Sequence, residues 1–251
     1  MDADRATASV LALMRDLLAE LGERGWSMEE PGAWAVTTGL PIASMNGVLL
    51  LGDCPANVVN DLLDQVADRA DAYSLQTRPA FVPMARSIAE GRGMEFSEDV
   101  PLMVADPGTL HRRDMPPETI AVALEDADLD RHTDLATRGF EAPRDIFETI
   151  TALSARVPGF RAFVASHDGV DVSTAVTMPS LTSAGVFTVA TPPEHRRHGF
   201  GAAITSVAAW HALDQGAEYV WLQSSDEGFA VYEALGFTTV ESWPMWVNTS
   251  A

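Results

Sequence analysis

A strand, a glycine-containing turn and a helix follow one another between Gly185 and Ala209, and this stretch limits the possible folds most. Val186 to Val189 are β-branched or aromatic residues, as is typical of a strand, and Pro192-Pro193 ends it. From Gly201 onward, apolar residues recur at helical intervals. The chain must therefore place a helix directly after a strand, with a tight turn between them.

The turn has the composition of an anion site. Gly199 and Gly201 stand at the expected start of the helix, where backbone N–H groups lack partners and the helix dipole is positive. Glycine also removes the Cβ that would keep a phosphate away from those groups. Arg196 and Arg197 add positive charge in a chain whose formal net charge is −20. The turn therefore predicts a diphosphate site.

The amino-acid composition excludes some known kinds of phosphate-binding loop for this turn. All 16 basic residues are arginine, and a sequence without lysine excludes both a Walker P-loop and a Schiff-base lysine. The dinucleotide fingerprint is half present, because Gly199-Phe200-Gly201 supplies Gly-x-Gly but Ile204 stands at the third glycine position. A dinucleotide enzyme stays open as an alternative, which direct binding of NAD would show.

Two signatures resemble those of the GCN5-related N-acetyltransferases (GNAT). The pattern Arg196-x-x-Gly199-x-Gly201 after a strand resembles the acyl-CoA pyrophosphate loop of that family. Downstream, Val231-Tyr232-x-x-Leu235-Gly236-Phe237 resembles its second signature, in the right order and separation. The resemblance covers about residues 118 to 247 and implies an α/β fold with a mixed sheet, the acyl-CoA N-acyltransferase fold.

The resemblance implies transfer of an acetyl group from acetyl-CoA to a primary amine by direct attack in a ternary complex. Tyr232 matches the tyrosine that protonates the departing thiolate, and a phenol of pKa about 10 suits a thiolate of pKa about 8.5. The acceptor amine is not specified. A non-catalytic acyl-CoA-binding or regulatory protein is the alternative. The residues expected to bind acetyl-CoA are Val189, Ala190, Thr191, Arg196, Arg197, His198, Gly199, Phe200, Gly201 and Ala202.

The sequence leaves the general base open, because residues 186–191 contain no acid. The candidates are Glu141, His167 and a water molecule held by backbone carbonyls. Ser224 or Ser225 is expected to cap the short helix that follows. The histidines have no metal-ligand spacing, so we expect no metal. Near the end of the chain, Trp243, Met245 and Trp246 are expected in the sheet core.

Residues 1–106 repeat, in shortened form, the order of elements of the second half. Where the phosphate loop would lie, residues 52–57 offer one glycine, no arginine and Asp53, which would repel a diphosphate. We therefore predict a two-part protein with a degenerate GNAT-like domain over 1–106, a proline-rich linker over 107–117 and a GNAT domain over 118–251. Asn46 is open as a substrate contact or as a turn residue before a core strand.

Periodicity and turn signals predict the individual elements. The predicted helices span residues 7–25, 55–69, 79–89, 128–140, 143–157, 229–235 and a long segment from Gly201. The predicted strands span residues 33–38, 47–51, 72–76, 95–104, 119–124, 160–166, 171–178, 186–189, 219–223 and 238–246.

Charge and composition also bear on partners. The 36 acidic residues against 16 arginines argue against a nucleic-acid or anionic-membrane partner. The beginning of the sequence lacks the layout of a signal peptide, and no apolar run approaches the length of a membrane span. Cys54 is the one cysteine, so an internal disulfide is excluded. We expect a cytoplasmic protein, and a homodimer stays open.

Overall fold

The computed structural model describes residues 2–248, so the outermost ends of the predicted domains, residue 1 and residues 249–251, lie outside the described residues. The helices are α1 (Ala3–Leu21), α2 (Ala56–Ala67), α3 (Val82–Gly91), α4 (Leu129–Phe140), α5 (Arg144–Ser154), α6 (Phe200–Asp214) and α7 (Asp226–Ala234). The strands are β1 (Trp26–Glu30), β2 (Ala33–Thr37), β3 (Gly47–Leu50), β4 (Ser74–Thr77), β5 (Glu95–Ala105), β6 (Thr119–Ala123), β7 (Arg161–His167), β8 (Val170–Ser180), β9 (Ser183–Ala190), β10 (Tyr219–Gln223) and β11 (Thr238–Val247).

The chain divides into two compact units. The first unit contains Met1–Glu20 and Met103–Val240, and the second contains Leu21–Leu102 and Glu241–Ala251. The borders between the units fall at the last residue of α1 and within β5 and β11. These units group the residues differently from the predicted domains, since the beginning of the chain joins the first unit and its end joins the second. The predicted division at the linker over 107–117 stays a prediction.

The first unit is built on strands in the order β5-β10-β9-β8-β7-β6. The pairs from β6 to β9 are antiparallel, whereas β9 and β10 are parallel and are connected through α6. Alternate residues of β9 and β10 face the apolar side of α6, which is how a strand-helix-strand unit buries its core. This core includes Val186, Phe200, Ile204, Val220 and Leu222.

Helix α1 belongs to the first unit because a buried polar network holds it there. Ser9 Oγ lies 2.9 Å from the Tyr219 hydroxyl and accepts a hydrogen bond from Ser183 Oγ at 3.0 Å. Ser180 Oγ donates to the Ser9 carbonyl at 2.7 Å. Since buried polar groups are costly when unpaired, these contacts specify where α1 packs.

The second unit contains strands in the order β1-β2-β3-β4-β11. Strands β1, β2 and β3 are antiparallel, β3 and β4 are parallel and connected through α2, and β11 pairs antiparallel with β4. Trp243, Met245 and Trp246 are all at most 4% exposed, which confirms their predicted place in the core. The sequence analysis missed β1.

Candidate functional site

Strand β9 departs from regular pairing near its end. Its pairing with β10 stops at the rung Gly185–Trp221, and its register with β8 shifts between the rungs at Phe187 and Ala190. Thr188 lies in this shift with φ +47°. A β-branched residue in the left-handed region is strained by about 1–3 kcal/mol, and such strain concentrates at functional sites. The bulge frees the end of β9 from regular pairing with β10.

A cavity of about 440 Å³ opens beside the end of β9. It lies between the end of β9, the loop that leads into α6, the beginning of α7 and the end of α4. Of the eleven predicted site residues, counting Tyr232, all except His198 line it. The lining residues are Gly139, Phe140, Val189, Ala190, Thr191, His195, Arg196, Arg197, Gly199, Phe200, Gly201, Ala202, Ser225, Glu227, Gly228, Val231 and Tyr232.

The first turn of α6 supplies backbone donors to the cavity. Gly199 is the N-cap residue at φ +83°, a conformation that favours glycine, and no side chain caps the helix. The Ala203 amide donates to the carbonyl of the N-cap Gly199 at 3.0 Å, which is the first turn-to-turn hydrogen bond of the helix. By helix geometry, the N–H groups of residues 200–202 have no partner within α6. They form an anion-binding arrangement at the positive end of the helix dipole.

The two arginines of the loop are placed differently. Arg196 donates from Nε to the Thr191 carbonyl at 3.1 Å and from Nη2 to the Gly139 carbonyl at 2.8 Å. Arg197, which like Arg196 is exposed, has φ +64° and, among the described residues, no hydrogen bond comparable to those two. His198 is also exposed, and its ring stacks on that of Phe200 at a centroid distance of 5.8 Å. Arg197 therefore offers the more available positive charge at the cavity.

Some backbone groups at the end of β9 already have hydrogen-bond partners. The Ala190 carbonyl accepts a hydrogen bond from Ser173 Oγ at 3.0 Å, and the Thr191 carbonyl accepts the one from Arg196. Within the described strands, the register gives Val189 no partner residue in β8 or β10. Val189 is thus the member of the predicted trio whose backbone is best placed to pair with a ligand.

Tyr232 enters the cavity from α7. Its ring packs against Gly228, where an added Cβ would lie only 2.7 Å from Tyr232 Cε2. Burial raises the pKa of the Tyr232 phenol to about 12, so the hydroxyl is protonated at neutral pH. Ser225 is the N-cap of α7 and accepts a hydrogen bond from the Gly228 amide at 3.3 Å. The predicted cap is confirmed.

The proposed general bases lie away from this cavity. Glu141 is an exposed residue that ends α4 at φ +52°, and His167 Nδ1 is 2.9 Å from Thr119 Oγ1. Neither lines the cavity. Among the described lining residues, Glu227 carries the one carboxylate. The sequence analysis overlooked it, although its position two residues after the cap Ser225 is readable from the sequence.

His132 is a second ionisable residue that the sequence analysis overlooked. It is 1% exposed, and burial lowers the pKa of its imidazole to about 4. Its Nδ1 lies 2.7 Å from Thr174 Oγ1, which itself donates to the Phe163 carbonyl at 2.8 Å. Because the hydroxyl proton is used there, Nδ1–H of His132 is the donor. His132 is therefore neutral and stabilises the packing of α4 on β8.

Asn46, in the second unit, organises its own loop. Its side-chain amide donates towards the carbonyls of Leu40, Ile42 and Ala72 at 2.8 to 3.1 Å, and its Oδ1 accepts from the Thr38 amide at 2.8 Å. It is 1% exposed. These contacts favour the interpretation of Asn46 as a turn residue over that of a substrate contact.

Within residues 2–248, no group of three or more His, Cys, Asp or Glu side chains is arranged to hold a metal ion. No helix in the same range is long and apolar enough to cross a membrane. The cytoplasmic location and the absence of a nucleic-acid partner stay predictions, and a homodimer stays open.

Comparison with known proteins identifies the fold. No protein-family model matches the sequence, and no curated protein matches it. Solved structures do match. A GCN5-related N-acetyltransferase from Kribbella flavida has a TM-score of 0.73 at 20% identity, and the match covers 97% of this chain and 96% of that one. The chain has the GNAT fold.

Other structures with the GNAT fold extend the match to both units. A GCN5-related N-acetyltransferase from Sphaerobacter thermophilus has a TM-score of 0.67 at 13% identity, covering 97% of this chain and 91% of that one. A tandem GNAT protein from the clavulanic acid biosynthesis pathway has a TM-score of 0.57 at 14% identity, covering 96% and 94%. The predicted resemblance and fold class are confirmed. That the N-terminal part is a degenerate copy stays a prediction.

Proposed function

We propose that this protein is an N-acetyltransferase that moves the acetyl group of acetyl-CoA to a primary amine. One observation carries the proposal: backbone N–H groups without helical partners and the Tyr232 hydroxyl line the same cavity, beside a strand that has parted from its neighbour. The first feature suits a diphosphate and the second a departing thiolate. Both belong to one acyl-CoA molecule.

Binding of CoA would use the loop and the end of β9. The amides of residues 200–202 would hold the diphosphate, because they combine free donors with the positive end of the α6 dipole. Arg197 would add a charge at the rim. The amide-rich pantetheine arm would pair with backbone groups of β9 around Val189, where the bulge removes a regular strand partner.

Transfer would proceed by direct attack of a neutral amine on the thioester carbonyl. A C–N bond forms, the C–S bond breaks, and the sulfur leaves as a thiolate. Tyr232 would donate a hydrogen bond to that thiolate. Because the pKa of the phenol is about 12 and that of a thiol is about 8.5, a shared hydrogen bond is favoured over complete proton transfer. The nitrogen loses one proton to water as the amide forms, and the thiolate takes up one proton from water.

Deprotonation of the attacking ammonium requires a base or water within hydrogen-bond reach. Glu227 is the carboxylate among the described residues that line the cavity. Glu141 and His167 are poorer candidates, since neither lines it. The acceptor amine itself stays open.

The proposal is tested by measuring release of free CoA thiol from acetyl-CoA in the presence of pools of amines. We expect release that depends on both acetyl-CoA and one of the amine pools, and a product carrying one acetyl group by mass spectrometry. The matched control is Tyr232→Phe, which keeps the ring that packs on Gly228. Tight CoA binding without thiol release from any pool would favour the non-catalytic alternative, whereas unchanged turnover in Tyr232→Phe would contradict the role of Tyr232.

A further inference from the structure

The Arg196 guanidinium connects three segments of the first unit. It projects from the loop, its Nε donates to the Thr191 carbonyl at the end of β9, and its Nη2 donates to the Gly139 carbonyl in the last turn of α4. The carbonyls in the last turn of a helix lack intrahelical partners and carry the negative end of the dipole. Arg196 therefore satisfies acceptors that would otherwise need water.

A second contact joins the same loop to the same helix. Arg138, in the last turn of α4, donates from Nη2 to Glu194 Oε1 at 2.5 Å and from Nη1 to Asp134 at 3.1 Å. Glu194 immediately precedes the loop histidine at position 195. The loop is thus fastened to α4 on both sides of His195, by Glu194 and by Arg196.

The end of α4 in turn packs closely on β9. An added Cβ at Gly139 would lie 2.8 Å from Ala190 Cβ and 3.2 Å from the Thr191 nitrogen. Helix, strand end and loop are therefore held in one arrangement around the cavity. Two N–H groups of Arg196 donate hydrogen bonds within this arrangement. Both acceptors are neutral carbonyls, so these two donors are not available to an anion.

We infer that Arg196 is a positioning residue that fixes the loop so that the amides of residues 200–202 converge on the diphosphate, while Arg197 supplies the charge that meets it. This inference rests on the proposed function. It differs from the prediction of direct contact, in which Arg196 and Arg197 act alike as phosphate ligands. Removing either arginine should therefore weaken CoA binding, but with a different dependence on salt.

Calorimetry with CoA separates these roles. Arg197→Ala should weaken binding about fivefold at about 0.05 M salt and much less at about 0.5 M, because salt screens an exposed charge. Arg196→Ala should weaken binding about tenfold at both salt concentrations, since the loss is one of geometry. Arg196→Lys should not restore affinity, because an ammonium cannot reproduce the planar fork that reaches two carbonyls.

Hydrogen exchange on the ligand-free protein tests, without reference to CoA, whether Arg196 holds the loop against the end of α4. Arg196→Ala should speed exchange in the loop and at the end of α4, and Arg197→Ala should leave both unchanged. A loss of CoA affinity in Arg196→Ala that disappears at high salt and is restored by Arg196→Lys would overturn the inference. Wild-type protein that binds no CoA would instead contradict the proposed function. The exchange result would still show whether Arg196 holds the loop in place.

Discussion

The two units contain the same strand-helix-strand arrangement but differ in the loop that joins the strand to the helix. In the first unit, α6 connects the parallel strands β9 and β10, and in the second, α2 connects the parallel strands β3 and β4. After β3, the Leu51 and Gly52 amides both donate to the Gly32 carbonyl at 2.8 and 2.9 Å. After β9, the amides of residues 200–202 have no partner within their helix.

The shared topology leaves the two loops with different space and different free donors. In the second unit, the loop is closed by close backbone packing: an added Cβ at Gly32 would lie 2.4 Å from the Asp53 carbonyl oxygen. Asp53 would also repel a phosphate. In the first unit, the nearest atom to an added Cβ at Gly199 is 4.0 Å away. At the start of both helices some amides lack helical partners, although in α2 the Val58 amide already donates to the Pro55 carbonyl at 2.9 Å. Close backbone packing, a carboxylate and two loop amides already in use therefore distinguish the loop of the second unit from the open loop of the first.

The largest effect is expected for Gly199→Glu. A side chain at φ +83° is strained, and its carboxylate would compete with the diphosphate for the amides of α6. CoA affinity should fall by at least about a hundredfold, measured by calorimetry, while circular dichroism shows the fold intact. Gly199→Ala is the control with the same backbone strain and no charge, and it should bind more tightly than the glutamate variant. An unchanged affinity for Gly199→Glu would refute the loop assignment.

Tyr232→Phe should lower turnover by about a hundredfold with little change in CoA affinity, because it removes one hydrogen-bond donor to the leaving group. The measurement is kcat and, separately, the dissociation constant of CoA. Tyr73→Phe makes the same change in the second unit. It should leave turnover unchanged, and an equal loss in both variants would point to a general structural effect.

Stability should depend on pH through His132 in the first unit. Its pKa is about 4 in the folded chain and about 6.5 when unfolded, so the unfolded chain binds more protons between these values. Its contribution is therefore complete above about pH 6.5 and is lost as the pH falls towards 4. Between pH 7 and pH 5 the free energy of unfolding should drop by about 2 kcal/mol from this residue.

Chemical denaturation of His132→Asn at the two pH values tests this expectation. The variant keeps a side-chain amide that can donate to Thr174 and removes the titration, so its pH dependence should be weaker than that of wild type. All six histidines lie between residues 111 and 211, so the second unit has no counterpart to this effect. Identical pH profiles for variant and wild type would contradict the assignment.

The smallest effect is expected for Asp53→Asn in the second unit. Removing the carboxylate reduces repulsion but frees no amide, since Leu51 and Gly52 still donate to Gly32. The number of CoA molecules bound per chain and their affinity should both stay at the wild-type values in a calorimetric titration. A second binding event in this variant would show that charge, rather than used amides, closes that loop.

The sequence predicted the elements of the first unit well because its signals are local. Strand β10 has the predicted limits, Tyr219–Gln223, and α6 begins one residue before the predicted Gly201. Strand β1, Trp26–Glu30, was missed because it has no β-branched residue and ends in two glutamates. It is an edge strand, and its apolar alternation is limited to Trp26 and Met28, which are only partly buried.

The features that the sequence could not predict depend on distant partners. Arg196 meets Gly139, 57 residues away, and Ser9 meets Tyr219, 210 residues away. Motif alone predicts Arg196 as a phosphate ligand, and position alone predicts that α1 belongs with the N-terminal part; both stay predictions. Motif and spacing located the cavity, but only the packed chain shows which donors are already used.

Hydrogen exchange with and without acetyl-CoA tests the central claim most directly, since that claim concerns which backbone amides are free to bind. Saturating acetyl-CoA should slow exchange in a peptide covering residues 197–202 and leave a peptide covering residues 51–59 unchanged. No slowing at residues 197–202, or equal slowing in both loops, would contradict the account.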